Sequence, residues 1–264
     1  MSADPYAPEE QIAVGPSGKV YRGRGLASKR VVRIKALLGK QHVPCPVDRA
    51  TLEATLPYVL HLEHPQVARL LDIDFDEDDF AVVSEYSPGS NGVTFLRGRR
   101  LMMADIRAIA SQLLLALQSG EIMGLSHGDV KLSNVIIARH EVGGGWALQL
   151  QDWGFSACRK RQPEETMIFR APERLEGDDA TPHADLFSTG VVLTSLLIGQ
   201  VPVFEDTAEA LTRAWKTYDP KGIRQRRPDV SPAFVDWLAW MMQFEANKRP
   251  ASAQQAQDAL MQMS

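Results

Sequence analysis

The spacing of apolar and polar positions changes character near residue 90. Before it, short runs that are either alternating or wholly apolar predict strands at 11–14, 19–23, 30–36, 67–75 and 80–85. One helix is predicted within 47–62, and the breaker-rich segment 87–92 predicts a connector. The first third of the chain is therefore expected to form a small, strand-rich unit.

Helices dominate the prediction after residue 90. Four apolar residues repeat at helical spacing across 104–122, namely Ile106, Ile109, Leu113 and Leu117. The segment 191–198 is apolar nearly all round, which indicates a buried helix, and Gly199 is placed to end it. Three glycines at 143–145 lie between two apolar runs and predict a hairpin loop. Strands followed mainly by helices predict an α+β fold.

Composition narrows the classes of protein that fit this pattern. The 264 residues are 44% hydrophobic and 23% charged with a net charge of −4, which is typical of a globular protein that does not bind nucleic acid. No apolar run is long enough for a membrane span, and no membrane partner is expected. The polar segment 1–10 is expected to be a flexible N-terminus rather than a signal peptide. The two cysteines show neither zinc spacing nor a disulfide framework, which predicts a cytoplasmic protein.

The clearest chemical signal lies at 127–134 and 152–154. The first segment brings together Asp129, Lys131 and Asn134, and Asp152 follows eighteen residues after Asn134. Phosphoryl transfer needs such a set: a carboxylate to orient the nucleophile, a cation near the phosphate and oxygen ligands for Mg²⁺. The two segments therefore predict a phosphoryl-transfer site.

Two segments resemble the catalytic and metal loops of protein kinases: His127-Gly128-Asp129-Val130-Lys131-Leu132-Ser133-Asn134 and Asp152-Trp153-Gly154. Other kinase-like motifs lie before and after these segments, in the order expected along the chain: Gly15-Pro16-Ser17-Gly18-Lys19-Val20, Val32-Arg33-Ile34-Lys35, Ala171-Pro172-Glu173 and Lys248-Arg249-Pro250. Over residues 11–264 the chain resembles the eukaryotic-like (Hanks-type) Ser/Thr protein kinases. The resemblance implies an α+β, two-lobed protein-kinase-like fold, with a small β-rich N-lobe at 11–86 and a larger helical C-lobe at 87–264.

The resemblance also implies that ATP and Mg²⁺ are the cofactors and that the substrate is a protein. The nucleotide would be bound by a glycine-rich loop, a strand lysine and its partner, and the backbone of the connector: Gly15, Gly18, Val20, Lys35, Glu53, Glu85 and Ser87. Asp129 would act as the catalytic base, and Lys131 would neutralise the γ-phosphate. Asn134 and Asp152 would hold Mg²⁺.

One member of this set, Glu53, is ambiguous. Kinases pair the strand lysine, here Lys35, with a glutamate on the next helix. Counting back from His64 gives Thr55 at the usual position, and Pro57 is expected to interrupt the helix. Either a local irregularity brings Glu53 to Lys35, or the ion pair is absent.

Further residues would have structural roles by the same resemblance. Glu173 and Arg249 would form a buried ion pair, and Asp185 would hold the backbone of the catalytic loop. Thr166 would bond the catalytic acid and its lysine.

One departure from the family concerns regulation. Gly128 occupies the position of an arginine that, in kinases, often receives a phosphate from the activation segment. Between Gly154 and Thr166 the single hydroxyl is that of Ser156, and basic residues occupy 159–161. Transfer is therefore expected not to depend on activation-loop phosphorylation.

Two other functions fit part of the pattern. His-Gly-Asp and Asp-Trp also occur in aminoglycoside- and choline-kinase-like enzymes, which phosphorylate small molecules. A pseudokinase, a binding or scaffold module without transfer activity, is suggested by Ala13, Pro16 and the ambiguous Glu53. Lys131 and Thr166, together with the motifs at 171–173 and 249–250, favour a protein substrate.

Overall fold

The computed structural model describes residues 5–15, 18–37, 49–75, 80–97, 100–140, 144–154 and 164–263. The N-terminal lobe contains a five-stranded antiparallel sheet with the strand order β1-β2-β3-β5-β4. Its strands are β1 (Tyr6–Gly15), β2 (Gly18–Gly25), β3 (Val31–Leu37), β4 (Leu70–Phe75) and β5 (Phe80–Glu85). Helix α1 (Arg49–Leu60) lies between β3 and β4 in the chain.

The C-terminal lobe is mainly helical. Its helices in the described ranges are α2 (Gly92–Leu96), α3 (Met103–Ile122), α4 (Pro172–Glu176), α5 (Pro182–Ile198), α6 (Ala208–Thr217), α7 (Ile223–Arg226), α8 (Pro232–Met241) and α9 (Ala253–Gln262). A small sheet joins β6 (Ser90–Asn91), β7 (Val135–Arg139) and β8 (Trp146–Leu150) in that order. These two lobes confirm the predicted α+β, two-lobed fold. Among the helices described, none is long and apolar enough to cross a membrane.

Helices α3 and α5 pack together at the centre of the larger lobe. The four apolar residues that repeat along α3 are all buried, with at most 2% of their surface exposed. Helix α5 is capped at its start by Thr181, whose side chain accepts a hydrogen bond from the Ala184 N–H, and at its end by Gly199 with φ = 78°. A left-handed φ is unstrained for glycine, so the predicted buried helix and its glycine end are both confirmed.

Strand β1 begins earlier than the sequence pattern indicates. Tyr6 lies opposite Gly25, so residues 6–10 pair with β2 and the expectation of a flexible terminus is wrong for them. Two register shifts, at 8–10 and 11–13, mark bulges in this strand. A bulge breaks the period of two by which a strand is recognised, which explains why the polar start of β1 is hidden in the sequence.

Helix α1 is continuous through Pro57, contrary to the expected interruption. The chain leaves the helix through tighter bonds, from the His61 N–H to the Tyr58 carbonyl (3.2 Å) and from the Leu62 N–H to the Val59 carbonyl (3.1 Å). Pro57 is exposed and lies in the C-terminal part of the helix. The backbone donor that it lacks therefore affects the end of the helix rather than its middle.

The segment before β4 joins the two lobes. The Leu150 N–H donates to the Gln66 carbonyl (2.8 Å), and the Ala68 N–H donates to the Leu150 carbonyl (3.0 Å). Val67 and Leu150 thus form a parallel bridge. Because β8 runs directly into residues 151–154, this bridge fixes the Asp152 segment against the N-terminal lobe.

Candidate active site

Three predicted site residues meet in the loop between α3 and β7. The Lys131 ammonium lies 2.7 Å from Oδ2 of Asp129. The side-chain amide of Asn134 donates to the backbone carbonyl of Asp129 (2.8 Å) and to its Oδ2 (3.3 Å). A short 3₁₀ turn, Leu132–Asn134, brings the amide back toward the acid. The structure therefore places the predicted base, cation and amide in one cluster, with all three residues buried.

His127 is fully buried and supports this loop through hydrogen bonds. Its Nδ1 accepts the Asp129 backbone N–H (3.1 Å), so the proton of the neutral ring lies on Nε2, which donates to the Gln151 carbonyl (2.8 Å). Burial lowers the pKa of His127, which favours this neutral form. His127 is thus a packing residue that links the catalytic loop to the segment before Asp152.

Asp185 anchors the backbone of the same loop, as predicted. Its Oδ2 accepts the His127 N–H (2.6 Å), and its Oδ1 accepts the Gly128 N–H (2.7 Å). Gly128 has φ = 71°, a conformation that is strained for residues with a side chain. Burial raises the pKa of Asp185 to about 7, and the N–H donors of Gly128 and His127 oppose that rise.

Asp152 is held by two cations from strand β3. Its Oδ2 lies 2.5 Å from the Lys35 ammonium, and its Oδ1 accepts a hydrogen bond from the Arg33 guanidinium at 2.9 Å. Asp152 has φ = 67°, a left-handed conformation that aspartate adopts more readily than most residues. The Lys35 contact brings together two residues that the sequence assigns to one site. The Arg33 contact was not predicted.

The position of Arg33 follows from the alternation of side chains along a strand. Lys35 lies opposite Val20 and Val82, and Arg33 lies opposite Ser84 on the neighbouring strand. Residues two apart on a strand face the same side of the sheet, so both cations project toward the cleft. This alternation was the signal in the sequence that could have identified Arg33 as a site residue.

The Trp153–Gly154 turn after Asp152 is tightly packed. A Cβ on Gly154, which has φ = 81°, would lie 2.5 Å from the Val59 side chain of α1. The Trp153 ring is buried edge-on against His127, with centroids 4.9 Å apart. A Cβ on Gly120 of α3 would lie 2.4 Å from Trp153. The small residue at 120 therefore makes room for the large ring at 153.

The remaining candidates for nucleotide binding surround this cluster. Gly15 and Gly18 lie opposite each other at the tip of the β1–β2 hairpin, and Val20 is half-buried beside Lys35. In the connector, the Glu85 N–H donates to the Arg69 carbonyl (2.9 Å), and the Glu85 carboxylate pairs with Arg30. Ser87 is buried next to it.

Two serines next to the connector offer polar groups to a ligand. The hydroxyl oxygens of Ser84 and Ser87 are buried and make no hydrogen bond within the described part of the chain. Buried hydroxyls normally have a partner, so such groups suit a polar ligand such as a nucleotide base. This arrangement fits the predicted position of ATP.

Glu53 is an exposed residue of α1, and its pairing with Lys35 stays a prediction. The Thr166 side chain lies outside the described residues, as do Ser156 and the basic residues at 159–161.

The donor atoms around the cleft suit Mg²⁺, because carboxylate and amide oxygens are its usual protein ligands. Asn134, which lies beside Asp129, and the buried Asp152 supply such oxygens. Both oxygens of Asp152, however, already contact cations of the protein. A metal ion bound to Asp152 would therefore lie beside at least one of these cations, and the like charges would repel each other.

Farther from the cleft, Arg249 and Glu173 form the predicted ion pair. The two guanidinium contacts measure 2.6 and 2.8 Å, and Arg249 also donates to the backbone carbonyls of Gln243, Phe244 and His183. The Arg249 guanidinium lies 4.9 Å from the centre of the Phe187 ring. The pair ties α4 to the loop before α9.

Comparison with known proteins agrees with this geometry. A family model described as a protein kinase domain matches residues 6–261. The chain belongs to the protein kinase family. Serine/threonine-protein kinase ULK3 of Xenopus laevis is 27% identical over 248 residues, which cover 91% of this chain and 52% of the relative. Serine/threonine-protein kinase pkn3 of Myxococcus xanthus is 28% identical over 268 residues, which cover 94% of this chain and 48% of the relative.

Both relatives are serine/threonine-protein kinases, which agrees with the resemblance to Hanks-type kinases that the motifs indicate. The kinase spans about half the length of the two relatives. Among solved structures, the kinase domain of Mycobacterium tuberculosis PknI superposes with a TM-score of 0.77 at 19% identity, over 98% of this chain and 96% of that one. This similarity confirms the fold.

Proposed function

We propose that this kinase transfers the γ-phosphoryl group of Mg·ATP to a serine or threonine hydroxyl of a protein substrate. The cluster of Asp129, Lys131 and Asn134 is the observation that carries the proposal, with contacts of 2.7 to 3.3 Å centred on one carboxylate. A carboxylate fixed in this way can orient a hydroxyl, and positioning supplies much of the catalysis in phosphoryl transfer.

In the proposed reaction, the substrate hydroxyl oxygen forms a bond to the γ-phosphorus, and the bond from that phosphorus to the bridging oxygen breaks. The hydroxyl proton passes to the Asp129 carboxylate, and ADP leaves with the bond electrons. Lys131 lies beside Asp129, where its charge opposes the negative charge that develops on the transferred group. Lys35 would contact the phosphates from the opposite side of the cleft.

Mg²⁺ would supply charge neutralisation at the phosphates when bound, with Asn134 and Asp152 as its protein ligands. The Asn134 amide is held by Asp129, and the backbone N–H of Gln151 donates to the Asn134 carbonyl at 2.8 Å. This bond connects the two metal-binding segments. Their spacing is therefore set by the backbone.

The proposal includes transfer without prior phosphorylation of the activation segment. Gly128 has no guanidinium to bind a phosphate, and its backbone is held by Asp185 through the bond described above. Phosphatase treatment of the purified kinase should leave its rate of transfer unchanged. A large loss of rate would disprove this part of the proposal.

A binding module without transfer activity is the second candidate, because Arg33 and Lys35 together occupy both oxygens of Asp152. Incubation with radiolabelled ATP, Mg²⁺ and separate panels of proteins and amino sugars distinguishes the functions. Label on proteins supports the main proposal, and label on amino sugars alone supports a small-molecule kinase. Nucleotide binding with no transfer supports the binding module.

The assignment of the base is tested by Asp129→Asn. The variant should lower kcat by roughly 100- to 10,000-fold, the usual contribution of a general base, while its affinity for an ATP analogue stays nearly unchanged. Asp236→Asn is the matched control, because Asp236 lies exposed on α8. Equal loss of transfer in the two variants, or no loss in Asp129→Asn, would overturn the role of Asp129.

A further inference from the structure

The two cations on Asp152 come from one strand and use different oxygens. Arg33 contacts Oδ1, and Lys35 contacts Oδ2. The exposed fractions of Arg33, Lys35 and Asp152 are 7%, 8% and 6%, so all three groups lie away from bulk water. Water therefore screens these contacts weakly, and each contributes to holding the carboxylate.

The strand that carries both cations is fixed in the sheet. β3 lies between β2 and β5, and it pairs with both along its length. Arg33 is therefore constrained at its backbone, and its side chain alone is able to leave Asp152. An arginine side chain has enough rotatable bonds to turn from a carboxylate to a nearby phosphate.

Among the five described residues that these contacts join, the charges do not cancel. Arg33, Lys35 and Lys131 carry three positive charges, and Asp129 and Asp152 carry two negative ones. The excess positive charge belongs to Arg33, because the other four residues form two pairs of opposite sign. In a poorly screened site, this excess favours a polyphosphate anion and disfavours a divalent cation.

We propose that Arg33 competes with Mg²⁺ for Asp152 and itself supplies positive charge to the nucleotide phosphates. The kinase then binds nucleotide with little dependence on Mg²⁺, whereas loss of Arg33 makes binding depend on the metal. This inference rests on the proposed nucleotide site, and it identifies Arg33 as the residue that sets the metal requirement of that site.

The experiment measures the affinity for a non-hydrolysable ATP analogue by calorimetry, once in excess Mg²⁺ and once in EDTA. Arg33→Met removes the charge but keeps a long apolar stem, and Arg33→Lys keeps the charge. Arg24→Met is the matched control for the loss of one arginine, because Arg24 of β2 pairs with Glu9 of β1 and both side chains are partly exposed. Far-UV circular dichroism and thermal unfolding establish that each variant is folded.

The wild type, Arg33→Lys and Arg24→Met should bind the analogue with similar affinity in both conditions, within about threefold. Arg33→Met should bind it at least about tenfold more tightly with Mg²⁺ than with EDTA, in the usual range of coupling between two sites. Mn²⁺ binding in the presence of the analogue, followed by electron paramagnetic resonance, should strengthen in Arg33→Met to a similar degree.

The outcomes separate this inference from the proposed function. Nucleotide binding that depends on Mg²⁺ equally in the wild type and in Arg33→Met would overturn the inference and leave the nucleotide site standing. A strong Mg²⁺ dependence in the wild type alone would also overturn it, even if Arg33→Met did not fold. Absence of nucleotide binding in the wild type and in Arg33→Met, under both conditions, would overturn the proposed site and the inference together.

Discussion

Asp152 and Asp185 are both buried acids next to the catalytic loop, with 6% and 3% of their surface exposed. Their partners differ in kind. Asp185 accepts two backbone N–H groups, at 2.6 and 2.7 Å, whereas Asp152 contacts two long cationic side chains. One carboxylate is held by neutral groups that cannot move without the backbone, and the other by charges that can turn away.

This difference in partners distinguishes an acid that supports the structure of the kinase from one that can take part in the chemistry. A backbone N–H that loses its acceptor stays buried without a hydrogen bond. Removal of the Asp185 carboxylate therefore lowers the stability of the folded loop. Arg33 and Lys35 can extend into the cleft when Asp152 changes, because their stems are flexible. We therefore expect Asp185 to control stability and Asp152 to control activity.

The largest expected effect is that of Asp152→Asn on transfer. Asp152 would hold Mg²⁺ during transfer, so loss of its charge should lower kcat by roughly 1,000-fold, which corresponds to about 4 kcal/mol of transition-state stabilisation. Its effect on the free energy of unfolding should be smaller than that of Asp185→Asn. Steady-state kinetics and urea denaturation measure the two quantities, and an active Asp152→Asn variant would remove Asp152 from the metal site.

The second prediction is that Asp185→Asn lowers the free energy of unfolding more than Asp152→Asn does. Asparagine keeps one carbonyl oxygen but presents an NH₂ group to the second buried backbone donor, which should cost about 3 kcal/mol of stability. Urea denaturation at neutral pH measures this loss. A variant as stable as the wild type would show that the two N–H bonds do not anchor the loop.

The third prediction concerns the packing that holds the Asp152 turn. Gly120→Ala places a Cβ within 2.4 Å of the Trp153 ring, which should destabilise the kinase by about 2 kcal/mol through overpacking. Gly222→Ala is the matched control, because a Cβ there meets nothing within 4 Å and φ is −57°.

The double variant Gly120→Ala/Trp153→Phe sharpens this test. The smaller ring should remove the clash, so the effects of the two substitutions should not be additive. Additive losses in thermal unfolding would contradict the proposed contact between α3 and the Asp152 turn.

The last prediction concerns the pH dependence of the Asp185→Asn loss. With a folded-state pKa of about 7, Asp185 keeps a proton between about pH 4 and about pH 7 that the unfolded chain has released. The wild type therefore loses stability as pH rises through this range, by at most about 1.4 kcal/mol per pH unit. The cost of Asp185→Asn should be larger at about pH 5 than at about pH 8, and a cost that grows with pH would contradict the raised pKa.

Much of the fold and site could be predicted because the relevant signals are local. The helical repeat of apolar residues in α3 and the apolar residues on all sides of α5 each lie within one helix. Both predictions are confirmed. Asp129, Lys131 and Asn134 lie within six residues, so a single turn suffices to bring them together. The Glu173–Arg249 pair and the anchoring by Asp185 followed from the resemblance rather than from spacing.

The missed features depend on contacts between distant segments. The contact of Arg33 with Asp152 joins residues 119 positions apart, and the alternation of β3 gives its direction without its partner. The start of β1 is hidden by bulges, and α1 passes through Pro57 because its exposed end tolerates a missing donor. In each case the neighbouring strand or the packing decides what the local pattern leaves open.

The most direct test of the account is phosphoamino-acid analysis of a protein substrate labelled by the wild type and by Asp129→Asn in the presence of Mg²⁺ and γ-labelled ATP. The account predicts phosphoserine or phosphothreonine from the wild type and almost no label from the variant. Predominant phosphotyrosine, label confined to small molecules, or equal labelling by Asp129→Asn would contradict it.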